Sequence, residues 1–107
     1  MASWTVQIHP AAEPELRALP SDMQARFLRI AELLEDFGPQ QVGMPHVRPI
    51  EGKLWEMRMQ GRAGIARGVY AAVQGRTLIV LHVFVKKTRT TPRAAIETAR
   101  TRLEAMR

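Results

Sequence analysis

The chain has 107 residues, of which 46% are hydrophobic, 24% charged and 6% aromatic; that length forms one domain burying roughly two thirds of its unfolded surface and excludes a two-domain enzyme. Sixteen Lys plus Arg against ten Asp plus Glu give a formal charge of +6 and a pI near 11.1, which favours a polyanionic partner. Cysteine is absent, excluding disulfides, iron–sulfur clusters and thiolate zinc sites and suiting a reducing cytosol.

The N-terminus, MASWTVQIHPAAEPELRAL, carries acids and prolines where a signal peptide needs basic residues and an apolar run. No segment approaches the ~20 apolar residues of a membrane span, so a cytoplasmic protein with no membrane partner is expected. Trp4, Val6 and Ile8 alternate with Thr5 and Gln7, the period of a short half-buried strand that His9-Pro10 ends. A brief helix is expected over residues 11 to 19, with Leu16 and Leu19 inward and Pro14 in its first turn. Ser21 and Gln24 read as a capping box opening a helix over 21 to 37, whose stripe is Met23, Phe27, Ile30, Leu34 and Phe37. Gly38-Pro39 stops it. The two helices form a hairpin that needs a sheet to cover.

Pro39, Gly43, Pro45, Pro49 and Gly52 mark residues 39 to 52 as a loop. Three strands follow: one in which Trp55, Met57 and Met59 alternate with Glu56, Arg58 and Gln60, one from Ile65 to Val73, and one from Leu78 to Val85. Gly61 to Gly64 and Gln74 to Arg76 are the hairpin turns. Thr91 is the expected cap of a last helix with Pro92 at its first position and Ile96, Ala99, Leu103 and Met106 inward. Arg93 with Glu97 and Arg100 with Glu104 are spaced as i,i+4 pairs. The order β-α-α-β-β-β-α defines a single α+β domain over 1–107, with a mostly antiparallel twisted sheet packed against an N-terminal helical hairpin and a C-terminal helix.

Residues 1 to 51 hold four basic and seven acidic side chains, whereas residues 52 to 107 hold twelve basic and three acidic. A polyanion is therefore expected on residues after about Gly52; the alternative is a solvated basic surface kept for solubility. Asp22 and Asp36 are the only aspartates and His9, His46 and His82 are isolated from one another, so no metal site or cofactor is expected. No phosphate loop, GxSxG elbow or cysteine nucleophile occurs. Arg58, Arg67 and Lys86 lie on three consecutive strands, with Lys53, Arg62, Lys87 and Arg89 at strand ends or in loops. By strict alternation Val80, His82, Phe84 and Lys86 share one face unless a bulge intervenes. Arg67, flanked by apolar residues, is either a functional cation or an edge arginine reaching water or pairing with Glu56. His82 is expected to be structural. RNA supplies its own nucleophile in the 2′-hydroxyl, so clustered Arg and Lys side chains suffice to clamp and neutralise a scissile phosphate without metal.

The runs LWEMR at 54 to 58, GIARGVY at 64 to 70 and LHVFVKKTRTTP at 81 to 92 resemble the phage-derived subgroup of the RelE/HigB-like toxins of bacterial type II toxin–antitoxin systems. The resemblance implies a RelE-like fold, ribosome-dependent mRNA endonuclease activity in the ribosomal A site, and an antitoxin partner with an Xre-type helix-turn-helix. Operator DNA would be bound only through the antitoxin complex. It implies cleavage or clamping by Arg58, Arg67 and Lys86, with His46 as a second-line base, and RNA contacts from Lys87, Thr88 and Arg89; Lys53 and Arg62 are added as RNA-binding residues by their places at strand ends and in loops of the basic sheet. The alternative within the fold is a catalytically degenerate or non-nuclease toxin acting on another target. The chain departs from the usual pattern at Ala66 and Gly68, which implies a softened strand around Arg67.

Overall fold

A computed structural model describes residues 3–43, 46–86 and 90–106, with Lys86 described by its backbone alone. The elements are β1 (Thr5–Ile8), α1 (Glu13–Arg17), α2 (Ser21–Phe37), β2 (Val47–Glu51), β3 (Leu54–Gly61), β4 (Gly64–Val73), β5 (Thr77–Lys86) and α3 (Arg93–Glu104). The strands form one sheet in the order β1-β5-β4-β3-β2, in which β1 runs parallel to β5 and every other pair is antiparallel.

The segment expected to be a loop contains β2. Pro49 lacks an N–H, but β2 is the sheet's edge, where a strand tolerates proline. α1 is shorter than expected, a single turn with Pro14 near its start and Leu16 buried. It packs on β5, and its Leu16 joins the α2 stripe in one core. Ser21 does not cap α2: Pro20 precedes the first turn, and the Gln24 side chain donates to the carbonyls of Leu19 and Arg17. Four of the five stripe residues, Met23, Phe27, Ile30 and Leu34, are buried, whereas Phe37 is exposed. Gly38 ends the helix at φ 82°, a conformation that L residues with a Cβ rarely adopt. Its N–H donates to the Leu34 carbonyl, and Trp4 packs against its α-carbon.

Two cores sandwich the sheet. On one face the α2 stripe meets Val47, Met57, Met59, Ala66, Tyr70, Leu78, Val80 and Val83. On the other, Ile96 and Ala99 of α3 meet Leu54, Val69, Ala71, Ile79 and Leu81. Strict alternation along β5 fails at a bulge. Val69 pairs with His82 and Tyr70 with Val80, leaving Leu81 as the extra residue. Val80 and Val83 therefore lie in the first core, while Leu81 lies in the second with Phe84 against it. β4 is not softened at Ala66 and Gly68. Its pairing runs unbroken through both on the β3 side, and the side chains of Met57 and Met59 occupy the space a larger residue at 68 would need.

The β3–β4 hairpin is pinned to α2. Asp22 accepts from the Arg62 N–H at 2.7 Å and from the Met23 N–H at 2.9 Å. A Cβ at Gly61 would stand 2.8 Å from both the Asp22 carboxylate and Met23 Cγ. Met23 is fully buried and has no room to yield, so Gly61→Ala is expected to cost about 1–3 kcal/mol. Urea unfolding checks this; an unchanged midpoint contradicts the close packing.

Candidate RNA-binding site on the sheet face and its edge

Cross-strand register assembles the site. Arg48 of β2 lies opposite Glu56 of β3, Glu56 opposite Val69 of β4, and Arg58 of β3 directly opposite Arg67 of β4. Residues opposite one another in a ladder project from the same face, so Arg48, Glu56, Arg58 and Arg67 share the α3 side of the sheet. Arg67 in turn pairs with Phe84, and Lys86 takes the next position of that row, opposite Ile65. Arg58 and Arg67, two of the three cations expected to act together, thus occupy neighbouring positions of one surface, and the backbone of the third, Lys86, lies two residues beyond Phe84.

At the centre is a residue absent from that expected set. Glu56 is 1% exposed and its carboxylate accepts three hydrogen bonds, from Arg67 Nη1 at 2.5 Å, from Arg48 Nε at 3.0 Å and from the Thr91 hydroxyl. Thr91 therefore serves Glu56 and does not cap α3, whose first turn follows Pro92 without a side-chain cap. Burial pushes the Glu56 carboxyl up, but the Thr91 hydroxyl, the Arg67 charge and Arg48 outweigh it and hold it below the ordinary range. Arg67 is 5% exposed. Burial draws its guanidinium down, Glu56 opposes that, and the charges of Arg58 and Arg48 add to it. The pairing of Arg67 with Glu56 is thus realised on a central strand, not an edge.

His46 and Arg58 meet at the open edge of β3. The Arg58 N–H donates to the His46 carbonyl at 2.9 Å, and beyond β2 both side chains line a cleft of ≈ 120 Å³ with Gln60 and with Arg26 of α2. Arg62 lies in the β3–β4 turn at the same end of the sheet, held through its backbone by Asp22. Lys53 is not part of this cluster. It precedes β3 at the opposite end, ~17 Å along the strand from Arg58 at about 3.3–3.4 Å per residue, and lines a separate groove with Val73, Leu103 and Met106. Lys87, Thr88 and Arg89 lie outside the described residues.

Much of the remaining basic charge of the C-terminal half is spent on acids of the N-terminal half. Glu51 receives both Arg93 and Arg100, and the latter pairing replaces the expected one with Glu104. Glu15 of α1 binds Arg102 and His82 and accepts from the Val83 N–H, so His82 is structural. These contacts clamp α3 to the sheet. Arg93 and Arg100 hold the Glu51 carboxyl at about 2, well below 4.5. Glu15 is also held low: burial raises it, and Arg102, the Val83 N–H and His82 overcome that. With Glu56 depressed as well, all three contribute stability that is fully present above pH 4.5 and is lost as pH falls through their folded values. The expected result is a denaturant midpoint that declines from pH 4.5 to about 2 for the Glu51 contribution; a flat profile across that window contradicts these pairings.

Among the described residues no three His, Asp or Glu side chains converge as a metal site, and no helix is long and apolar enough to cross a membrane. The arrangement is a surface of arginines ordered by one buried carboxylate, suited to holding phosphate oxygens in fixed directions.

This fold is that of the RelE toxins. It matches a chain of the archaeal RelE–RelB complex from Pyrococcus horikoshii OT3 at 26% identity and TM-score 0.59, covering 78% of this chain and 94% of that one. It also matches a double mutant of E. coli toxin RelE in the free state at 17% identity and TM-score 0.63, covering 96% of this chain and 99% of that one. The chain belongs to the family described as Phage derived protein Gp49-like, whose model matches residues 14–104. No curated protein matches the sequence.

Of the residues missed, only Glu56 was signalled in the sequence. Glu56 occupies the polar parity of an alternating strand, and Arg48 pairs with it only because β2 exists. Arg26 lies on the polar side of an amphipathic helix, and nothing in its spacing marks it as near residues 46 to 60.

Proposed function

We propose that the protein is the toxin of a type II toxin–antitoxin pair and a metal-independent endoribonuclease that cuts mRNA in the ribosomal A site. Its partner is an antitoxin, as in the RelE–RelB complex of its structural relative, here of the Xre helix-turn-helix kind, with operator DNA bound only by the pair. The observation that carries the reading is the single sheet face on which Arg58 stands opposite the Glu56-held Arg67. In this reaction the 2′-hydroxyl oxygen bonds to the adjacent phosphorus as the bond to the 5′ oxygen breaks. One group must take the 2′ proton and another must protonate the leaving oxygen. Arg58 and Arg67 neutralise the charge growing on the phosphoryl oxygens, and His46 and Lys86 are the proton-transferring candidates.

Burial of Arg67 against Glu56 favours one second reading, a RelE-fold toxin without nuclease activity that arrests growth through another target. Induced expression in a bacterial host, with primer extension on a translated mRNA, separates the two. Cuts at codon boundaries that require translation and disappear in Arg67→Lys support the nuclease. Growth arrest without cuts supports the second reading.

A further inference from the structure

The described arginines divide sharply. Arg17, Arg48, Arg67, Arg93, Arg100 and Arg102 each pair with a carboxylate, whereas Arg26, Arg29, Arg58, Arg62 and Arg76 pair with none among the described residues. Of these five, Arg26 of α2 and Arg58 of β3 line the same ≈ 120 Å³ cleft, joined by His46 and Gln60. Two guanidinium groups facing one concavity repel, and the repulsion is ordinarily relieved by an acid placed between them. The nearest candidate on the helix, Asp22, one turn before Arg26, is committed to the backbone of Arg62 and Met23.

We infer that this cleft is a second phosphate subsite, in which Arg26 and Arg58 hold a phosphodiester of single-stranded RNA adjacent to the one held at Arg67. The inference rests on the RNA reading and extends it to α2 in the N-terminal half, whose net charge is negative and from which His46 alone was expected to meet RNA. Arg58 is common to both subsites. It stands directly opposite Arg67 in the ladder and also lines the edge cleft, so a strand held at Arg67 leads around the edge of β3 toward α2. The Gln60 amide and the His46 imidazole add hydrogen-bonding capacity for phosphate or ribose oxygens.

Deoxy-oligonucleotides test this without cleavage, since they lack the 2′-hydroxyl. A thymidine dinucleotide offers one phosphodiester and a trinucleotide two. Parent protein is expected to bind the trinucleotide about tenfold more tightly, the value of one charge-assisted contact. Arg26→Ala should remove that advantage and leave dinucleotide binding unchanged. It should also lower the slope of log affinity against log salt by about one on a longer deoxy-oligonucleotide. Arg29→Ala deletes an equally exposed charge from the same helix, outside the cleft, and should keep both the advantage and the slope. Equal losses in the two variants would reduce the effect to general surface charge and overturn the subsite, as would an Arg26→Ala protein that binds like the parent. If the parent fails to cut translated mRNA, the nuclease reading falls while these binding ratios still decide the subsite. If the parent cuts and Arg26→Ala keeps the trinucleotide advantage, the subsite alone falls.

Discussion

Glu56→Ala is expected to destabilise the protein by about 3–5 kcal/mol, the usual consequence of stripping one partner from a buried ion pair. Arg67 is 5% exposed and its Nε already lacks a partner in the structure, so with the carboxylate gone the side of the guanidinium that faces Glu56 has neither water nor a counter-charge. Arg48 and Thr91 lose their acceptor in the same step. Because total stabilities of small domains run about 5–15 kcal/mol, the variant should be near unfolding at 37 °C. Glu56→Gln keeps an acceptor for Arg67 and Thr91 in nearly the same volume and should fall between the variant and the parent. Urea midpoints of the three proteins check the order. A Glu56→Ala protein within 1 kcal/mol of the parent would mean that Arg67 finds water that the buried geometry does not offer.

Arg67→Lys is expected to leave the protein folded and to lower the rate of mRNA cutting roughly 10²–10³-fold, the scale on which losing one preorganised transition-state donor acts. Lysine retains the charge that Glu56 requires, so the stability cost stays small. It lacks the planar fork that can keep one nitrogen on Glu56 and present another to a phosphoryl oxygen. Arg67→Ala would confound the two effects by leaving Glu56 with only Arg48 and Thr91. Single-turnover cutting on programmed ribosomes, beside an unfolding curve of the same preparation, separates them. A cutting rate within a few-fold of the parent would move the clamp from Arg67 to Arg58.

The elements legible from sequence are those whose signal is local. α2 announces itself by a four- and three-residue apolar recurrence and a glycine stop, and its boundaries, Ser21–Phe37, are as expected. β3, β4 and β5 announce themselves by alternation, β-branched content and the two turns between them. The C-terminal basic face follows the same logic, since Arg58 and Arg67 share the parity that a hairpin through Gly61–Gly64 imposes. β2 was hidden because Pro49 and its flanking turn formers speak against a strand, and its pairing with β3 is a long-range choice that an edge position permits. The caps failed for a related reason. Ser21 and Thr91 have suitable residue types, but Ser21 makes no cap hydrogen bond while Gln24 turns to the Leu19 carbonyl, and the Thr91 hydroxyl turns to Glu56.

The sequence by itself determined an α+β domain with a twisted sheet, a strongly basic second half and an arginine on each of two adjacent strands, because periodicity and charge are read residue by residue. Only the tertiary structure decided which cations remain available to a ligand. Ion pairing depends on which side chains the register and helix docking bring within a few ångströms, a contact between residues as distant in sequence as Glu15 and Arg102 or Glu51 and Arg100. These contacts neutralise α3, turn Glu56 into the organiser of Arg67, and leave Arg26 and Arg58 facing the same cleft with no acid between them among the described residues.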